Sequence, residues 1–253
     1  MVKSDFKLPK KLTKEPLIDA IFELRFLDAA SASLSTILPG VFLQQFSDLR
    51  LTPLPAQSLP PMIRATDPNL KYAALVRLEN EKFIYLIGDH TLAICSKIPY
   101  VGWDKFKSEI SAKLKLLKGI SLLSKLKLER YAMKYTNLVE ASNLLEQASQ
   151  LDWTLEISDF KLKKEDFQVR IVKKEEGFTS IISFLSSATA LPNNVEKKGV
   201  IVDVDTLKNT PNLTLQKLKN LNSELDEIHE STKRNFFMCL KEKTIENLGP
   251  VYG

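Results

Sequence analysis

The sequence predicts an α+β fold: two tandem repeats, each ordered strand, helix, four strands, helix, pair into one curved antiparallel sheet backed by helices. Three observations predict it. Short runs alternate apolar with polar residues, two longer stretches place apolar residues every third or fourth position, and the order of these patterns over residues 15–119 recurs over residues 126–249. Residues 1–14 form a basic leader carrying Lys3, Lys7, Lys10, Lys11 and Lys14, and residues 120–125 connect the repeats.

The first repeat opens on a strand, because Ala20, Phe22, Leu24 and Phe26 alternate with Asp19, Ile21, Glu23 and Arg25. Leu34, Ile37, Leu38, Val41, Phe42 and Phe46 then recur at helical spacing, with Pro39-Gly40 predicting a kink. Pro53, Pro55, Pro60 and Pro61 predict a semi-extended surface loop without regular structure. Strands are expected over residues 62–65, 72–79, 83–87 and 92–96, separated by turns at Asn80-Glu81 and Gly88-Asp89-His90. Trp103, Phe106, Ile110, Leu114 and Leu117 mark the apolar stripe of a helix that Gly119 stops.

The second repeat starts with a strand over residues 128–139 and a short helix over 143–148. Four strands follow, over 153–157, 167–172, 179–185 and 200–205, with Glu175-Glu176-Gly177 as a hairpin turn. Leu215, Leu218, Leu221, Leu225, Ile228, Thr232, Phe236 and Cys239 then define one face of a single long helix ending near Gly249.

Composition narrows the function classes. With 44% apolar and 26% charged residues among 253, the chain has the balance of a soluble globular protein. No stretch approaches the ~18 apolar residues of a membrane span, and the amino terminus has no signal-peptide pattern, so the expectation is cytoplasmic, without membrane contact. Cys95 and Cys239 fall in a strand pattern and a helix pattern as buried thiols, without a disulfide. The net charge of +5 mildly favours polyanionic partners.

Strand alternation sorts the charges by face. If Ala20, Phe22 and Leu24 face the helices, Arg25 faces away, and the same rule turns Arg77, Arg130, Lys134 and Arg170 outward. These five residues form the candidate interface for a partner or nucleic acid, because guanidinium groups bind carboxylate and phosphate bidentately. Lys105, Lys107, Lys113, Lys115 and Lys118 on the first amphipathic helix form a second basic candidate. The competing reading pairs the arginines with Glu23, Glu156, Asp203 and Asp205 in cross-strand ladders.

Enzymatic signatures are sparse. Asp203 and Asp205, two apart on one strand, resemble the carboxylates of a metal-dependent nuclease or phosphodiesterase, which is the alternative function. His90 sits in a turn and His229 on the surface of the long helix, without metal-ligand spacing. No glycine-rich phosphate loop, serine elbow or cysteine–histidine signature occurs, so no catalytic residue, metal or cofactor is assigned.

The run Glu15-Pro16-Leu17-Ile18-Asp19-Ala20-Ile21-Phe22-Glu23-Leu24-Arg25-Phe26, then Asp89 to Cys95 with Trp103 and Phe106, Arg130-Tyr131, Gly199-Val200-Ile201-Val202-Asp203-Val204-Asp205, and Leu225 to Phe236 resemble a sporadically distributed family of uncharacterised prokaryotic proteins. The resemblance spans nearly the whole chain and departs from the family pattern at Cys95, where asparagine is usual. It implies an accessory gene product, such as those of defence systems; separately, the expected partner is a protein encoded nearby. The repeat order is similar to that of a TATA-binding-protein-like duplication, in architecture only. The expected function is a non-catalytic binding or scaffold subunit that docks on a protein partner, with nucleic acid as an additional contact.

Overall fold

The computed structural model describes residues 7–27, 33–154, 156–157, 160–161, 165–175, 177–218 and 221–253. The chain is mixed α+β with a large antiparallel sheet. Its first elements are β1 (Lys11–Leu12), β2 (Leu17–Phe26), α1 (Leu34–Gln45), β3 (Arg50–Pro53), α2 (Pro61–Thr66), β4 (Ala74–Glu79), β5 (Phe83–Gly88), β6 (Thr91–Ser96), α3 (Trp103–Gly119) and α4 (Ser121–Ser124). Then come β7 (Lys127–Glu140), α5 (Leu144–Gln150), β8 (Glu156–Ile157), β9 (Phe160–Lys161), β10 (Gln168–Glu175), β11 (Phe178–Ala190), β12 (Lys197–Thr214), α6 (Leu221–Met238), α7 (Glu242–Asn247) and β13 (Pro250–Val251).

Five segments correct the sequence expectation. Residues 62–65 lie in helix α2, not a strand, because Pro60 and Pro61 preset the φ of a helix start and Pro61 occupies its first turn. The proline-rich loop likewise holds β3 and a 3₁₀ turn at Pro55–Ser58. The strand expected over 200–205 extends to 18 residues in β12, where pairing in the sheet overrides the weak strand propensity of Asn209, Pro211 and Asn212. The single long helix is a 3₁₀ turn (Leu215–Lys217), α6 and α7, broken after Met238 where Leu240 bridges to Leu151. Of the expected 153–157 strand, Trp153 and Thr154 are irregular, and only Glu156–Ile157 pairs. Leu155 and Glu176, the latter in the expected hairpin turn, lie outside the described residues.

Two compact units emerge, each drawn from both halves of the sequence. One falls within Met1–Ile18, Lys134–Thr206 and His229–Gly253, and the other within Asp19–Met133 and Leu207–Ile228.

In the 19–133/207–228 unit the strand order is β7-β2-β6-β5-β4-β3. Antiparallel register sets Phe22 opposite Ile94 and Leu24 opposite Leu92, then Ile94 opposite Tyr85 and Leu92 opposite Ile87. Period two thus gathers these side chains on one face, where all six are buried. Helices cover that face: Phe42 of α1 meets the Tyr85 ring edge-on at 5.4 Å, and Phe106 of α3 lies 6.5 Å from Phe83. The opposite face carries Ile21, Glu23 and Arg25, with Arg77 and Glu79 of β4 beside Leu86 and Ile84.

In the other unit the order is β10-β11-β12-β7. Val200, Val202 and Val204 join Val139, Ile182, Phe184, Phe236, Phe237 and Leu240 in one core. A buried polar network is built into it. Asn235 donates to the Ser180 hydroxyl at 2.9 Å and accepts from Lys173 at 2.9 Å, and Ser180 shares a 3.0 Å bond with Thr206.

Candidate functional site

The sequence-predicted arginines on the opposite sheet face of the 19–133/207–228 unit are held by acids. Glu23 receives Arg25 through Nε at 2.8 Å and Nη2 at 3.2 Å, and Arg130 through Nη2 at 3.2 Å. The Arg25 guanidinium also lies over the Tyr72 ring, 4.4 Å from its centroid. Tyr72 donates its hydroxyl to Glu129, and burial followed by that carboxylate pushes its phenol pKa up. Arg77 donates to Glu79 at 2.7 Å while Lys97 reaches the same oxygen at 2.8 Å. The Lys97 and Arg77 bonds hold the Glu79 carboxyl below the usual carboxylate range.

This face gathers Arg25, Arg77 and Arg130 within one unit. The pairing uses Glu23 and Glu79 two positions along the same strands, in addition to the Arg130–Glu23 cross-strand bond. Among the described residues, the Nε atoms of Arg77 and Arg130 are buried, closed to solvent, without a hydrogen-bond partner.

Lys134 and Arg170 belong to the other unit. Lys134 lies 3.4 Å from Asp203, whose carboxylate also accepts from Thr136 at 2.6 Å. Arg170 stands exposed on β10, opposite Ser183 of β11. Among the described residues, no cluster of three histidine, cysteine, aspartate or glutamate side chains forms around Asp203 and Asp205. Glu156 pairs opposite Lys161 in the β8–β9 ladder, and its side chain lies outside the described residues.

The lysines of α3 divide. Lys105 and Lys115 are exposed. Lys107 bonds Asp226 at 2.6 Å, beside the Trp103 indole N–H at 3.0 Å from the same carboxylate. Lys118 donates to the Leu218 carbonyl at 2.6 Å, and burial pulls its pKa down. Lys113 is buried, 2.6 Å from Glu109, with its ammonium 3.5 Å from the Phe46 ring centroid.

Two features escaped the sequence reading. A cavity of about 710 Å³ opens beside Phe46, Arg50, Glu79, Lys97, Glu109 and Lys113. The seven-residue step from Phe106 places Lys113 on the apolar stripe, which was the available signal. His229, expected on the helix surface, is instead buried and shares a 2.8 Å hydrogen bond with the Tyr135 hydroxyl. The reason is that α6 packs this side chain against Tyr135 of β7, ring edge to ring face at 5.6 Å. Compared with known proteins, the chain matches no family model and no curated protein.

Proposed function

We propose that the chain is a non-catalytic binding subunit that docks on a protein partner through the guanidinium-and-carboxylate face bearing Glu23, Arg25, Arg77 and Arg130. The observation that carries it is the convergence of Arg25 and Arg130 on the single Glu23 carboxylate. Two guanidinium groups share one acid, so positive charge and N–H donors are in surplus. A partner carboxylate would meet that surplus charge by bonding the guanidinium groups where their side chains reach the surface, 27% exposed for Arg25 and 18% for Arg130, and Tyr72 beside Arg25 supplies an aromatic anchor. Mixed signs set register against a folded protein surface better than against a uniform phosphate backbone.

Nucleic acid is a secondary contact in this reading, through the exposed Lys105 and Lys115. In this reading the partner is encoded nearby, and the family resemblance supports a prokaryotic accessory or defence complex in the cytoplasm. The duplicated strand-and-helix order belongs to the same proposal, as the origin of a two-part docking surface.

The test is association with the products of adjacent genes, measured by co-purification and then by calorimetry on the purified pair. Arg25→Glu with Arg130→Glu is expected to weaken binding by about 100-fold, from two lost charge-assisted contacts. Arg25→Lys loses less, because it keeps the charge and discards the fork. Unchanged affinity in a correctly folded double reversal overturns the proposal.

A further inference from the structure

Strand β10 ends the strand order of its unit, and among the described residues its outer edge is unpaired. Its antiparallel register with β11 runs without a slip from Gln168 opposite Leu185 to Glu175 opposite Phe178. One position earlier, the Ser186 N–H donates to the Phe167 carbonyl at 3.0 Å. Bonded and non-bonded positions alternate along an antiparallel ladder, so Val169, Ile171, Lys173 and Glu175 share the phase of Phe167 and bond inward to β11. The N–H and C=O groups of Gln168, Arg170, Val172 and Lys174 therefore point away from the sheet.

These four residues are exposed, Val172 by 52%, and Ile171 between them is 48% exposed. β8 and β9 do not cover the edge by pairing, since they pair with each other in a separate ladder. Proteins ordinarily blunt such edges with brevity, proline or charge, lysine above all, and of these β10 carries only charge, which repels a like-charged strand and not an acidic one. β3, the terminal strand of the other unit, uses the first two: it has four residues and ends in Pro53, which lacks an N–H. β10 has eight residues, no proline and no glycine, and includes Val169, Ile171 and Val172.

Charge selects the occupant. β10 carries Arg170, Lys173 and Lys174 against Glu175, three cations less one anion, a net +2. Lys173 and Glu175 pair with each other at 2.6 Å, which leaves Arg170 and Lys174, both outward-phase residues, without an acid among the described residues. A second copy of β10 would double this charge, and self-pairing centred on Val172 would set Arg170 directly opposite Lys174.

We propose that the free edge of β10 is a strand-addition site for an extended acidic segment of a protein partner. The fitting segment places acidic side chains opposite Arg170 and Lys174 and a β-branched residue opposite Val172, in an acid–x–β-branched–x–acid pattern. This site does not rest on the guanidinium face of the other unit, and either can fail alone.

The experiment titrates the isotope-labelled full chain with the peptide Thr-Glu-Thr-Val-Thr-Glu-Thr and with its counterpart carrying lysine for both glutamates. Amide exchange is read at Gln168, Arg170, Val172 and Lys174. The acidic peptide is expected to slow exchange at these outward amides by about tenfold or more, and the lysine peptide to leave it unchanged. Val172→Pro removes an outward N–H while sparing the β11 ladder, and abolishes the protection. Should that variant misfold, Arg170→Glu with Lys174→Glu reverses the preference between the two peptides. Unprotected outward amides at millimolar acidic peptide, or equal protection by the lysine peptide, overturn the proposal. Protection that rises with protein concentration alone overturns it too, by making a second copy the occupant.

Discussion

The Lys113 ammonium lies 2.6 Å from the Glu109 carboxylate one helical turn before it, in a side chain only 4% exposed. The aromatic rings of Phe46 and Tyr85 surround the same cation, at 3.5 and 5.2 Å from their centroids, and the Tyr85 hydroxyl donates to Glu109 at 2.7 Å. Burial and then the Glu109 carboxylate push the Tyr85 phenol far up, so it stays a donor at any working pH. Removing the acid strands a buried charge, whereas removing the cation leaves Glu109 with Tyr85 and partial water access. Glu109→Ala is therefore expected to cost about 3 kcal/mol and Lys113→Met about 1 kcal/mol or less in urea unfolding.

The Asp89 carboxyl adds a pH dependence. Burial pushes it up, but the Ser35 hydroxyl at 2.6 Å and the Arg64 guanidinium at 3.0 Å together hold it below the ordinary value of 3.8. A carboxyl depressed in the folded state contributes stability above its unfolded value and loses it as pH falls through the folded one. Unfolding midpoints should decline below about pH 4, and Asp89→Asn should flatten that decline while costing about 1–2 kcal/mol at neutral pH.

Thiol chemistry should be silent in the native protein. Burial raises both Cys95 and Cys239 to about 12, so thiolate is scarce at neutral pH. Titration with a chromogenic disulfide is expected to show both cysteines reacting only after denaturation. Prompt reaction of Cys95 in the folded chain would contradict its burial between β2 and β5.

Gly199 sits where β12 approaches β7 so closely that an added Cβ would lie 2.0 Å from the Val139 carbonyl oxygen. The contact is with backbone, which cannot swing aside as a side chain does. Gly199→Ala should cost about 2–3 kcal/mol in thermal or urea unfolding. Gly40→Ala, with open space at its Cβ, should be neutral or stabilising by about 0.5–1 kcal/mol through helix propensity.

How much of this was legible depends on which signal was local. β2 was legible because period two is written in its residues: Ala20, Phe22 and Leu24 are fully buried while Glu23 and Arg25 face away. α3 was legible from stripe to stop, Trp103 to Gly119. The burial of Lys113 is not written locally, because its cage comes from the α1 end and β5, remote in sequence. α2 is ambiguous in sequence, because the Pro60-Pro61 pair that presets a helix start is also the pair that breaks regular structure. For the arginines, alternation gave the face, but the choice of Glu23 and Glu79 along the strand depends on rotamers that no periodicity encodes.

The chain passes back and forth between its compact units, three segments in one and two in the other, with β7 and β12 each contributing to both. No contiguous stretch of the gene therefore encodes either unit. Deletion series and two-hybrid fragments cut at any single point between Asp19 and Ile228 divide both units and should yield insoluble or inert products from both sides of the cut. Binding by this protein has to be mapped with point substitutions in the intact chain, and a truncation that loses a partner says nothing about where that partner sat.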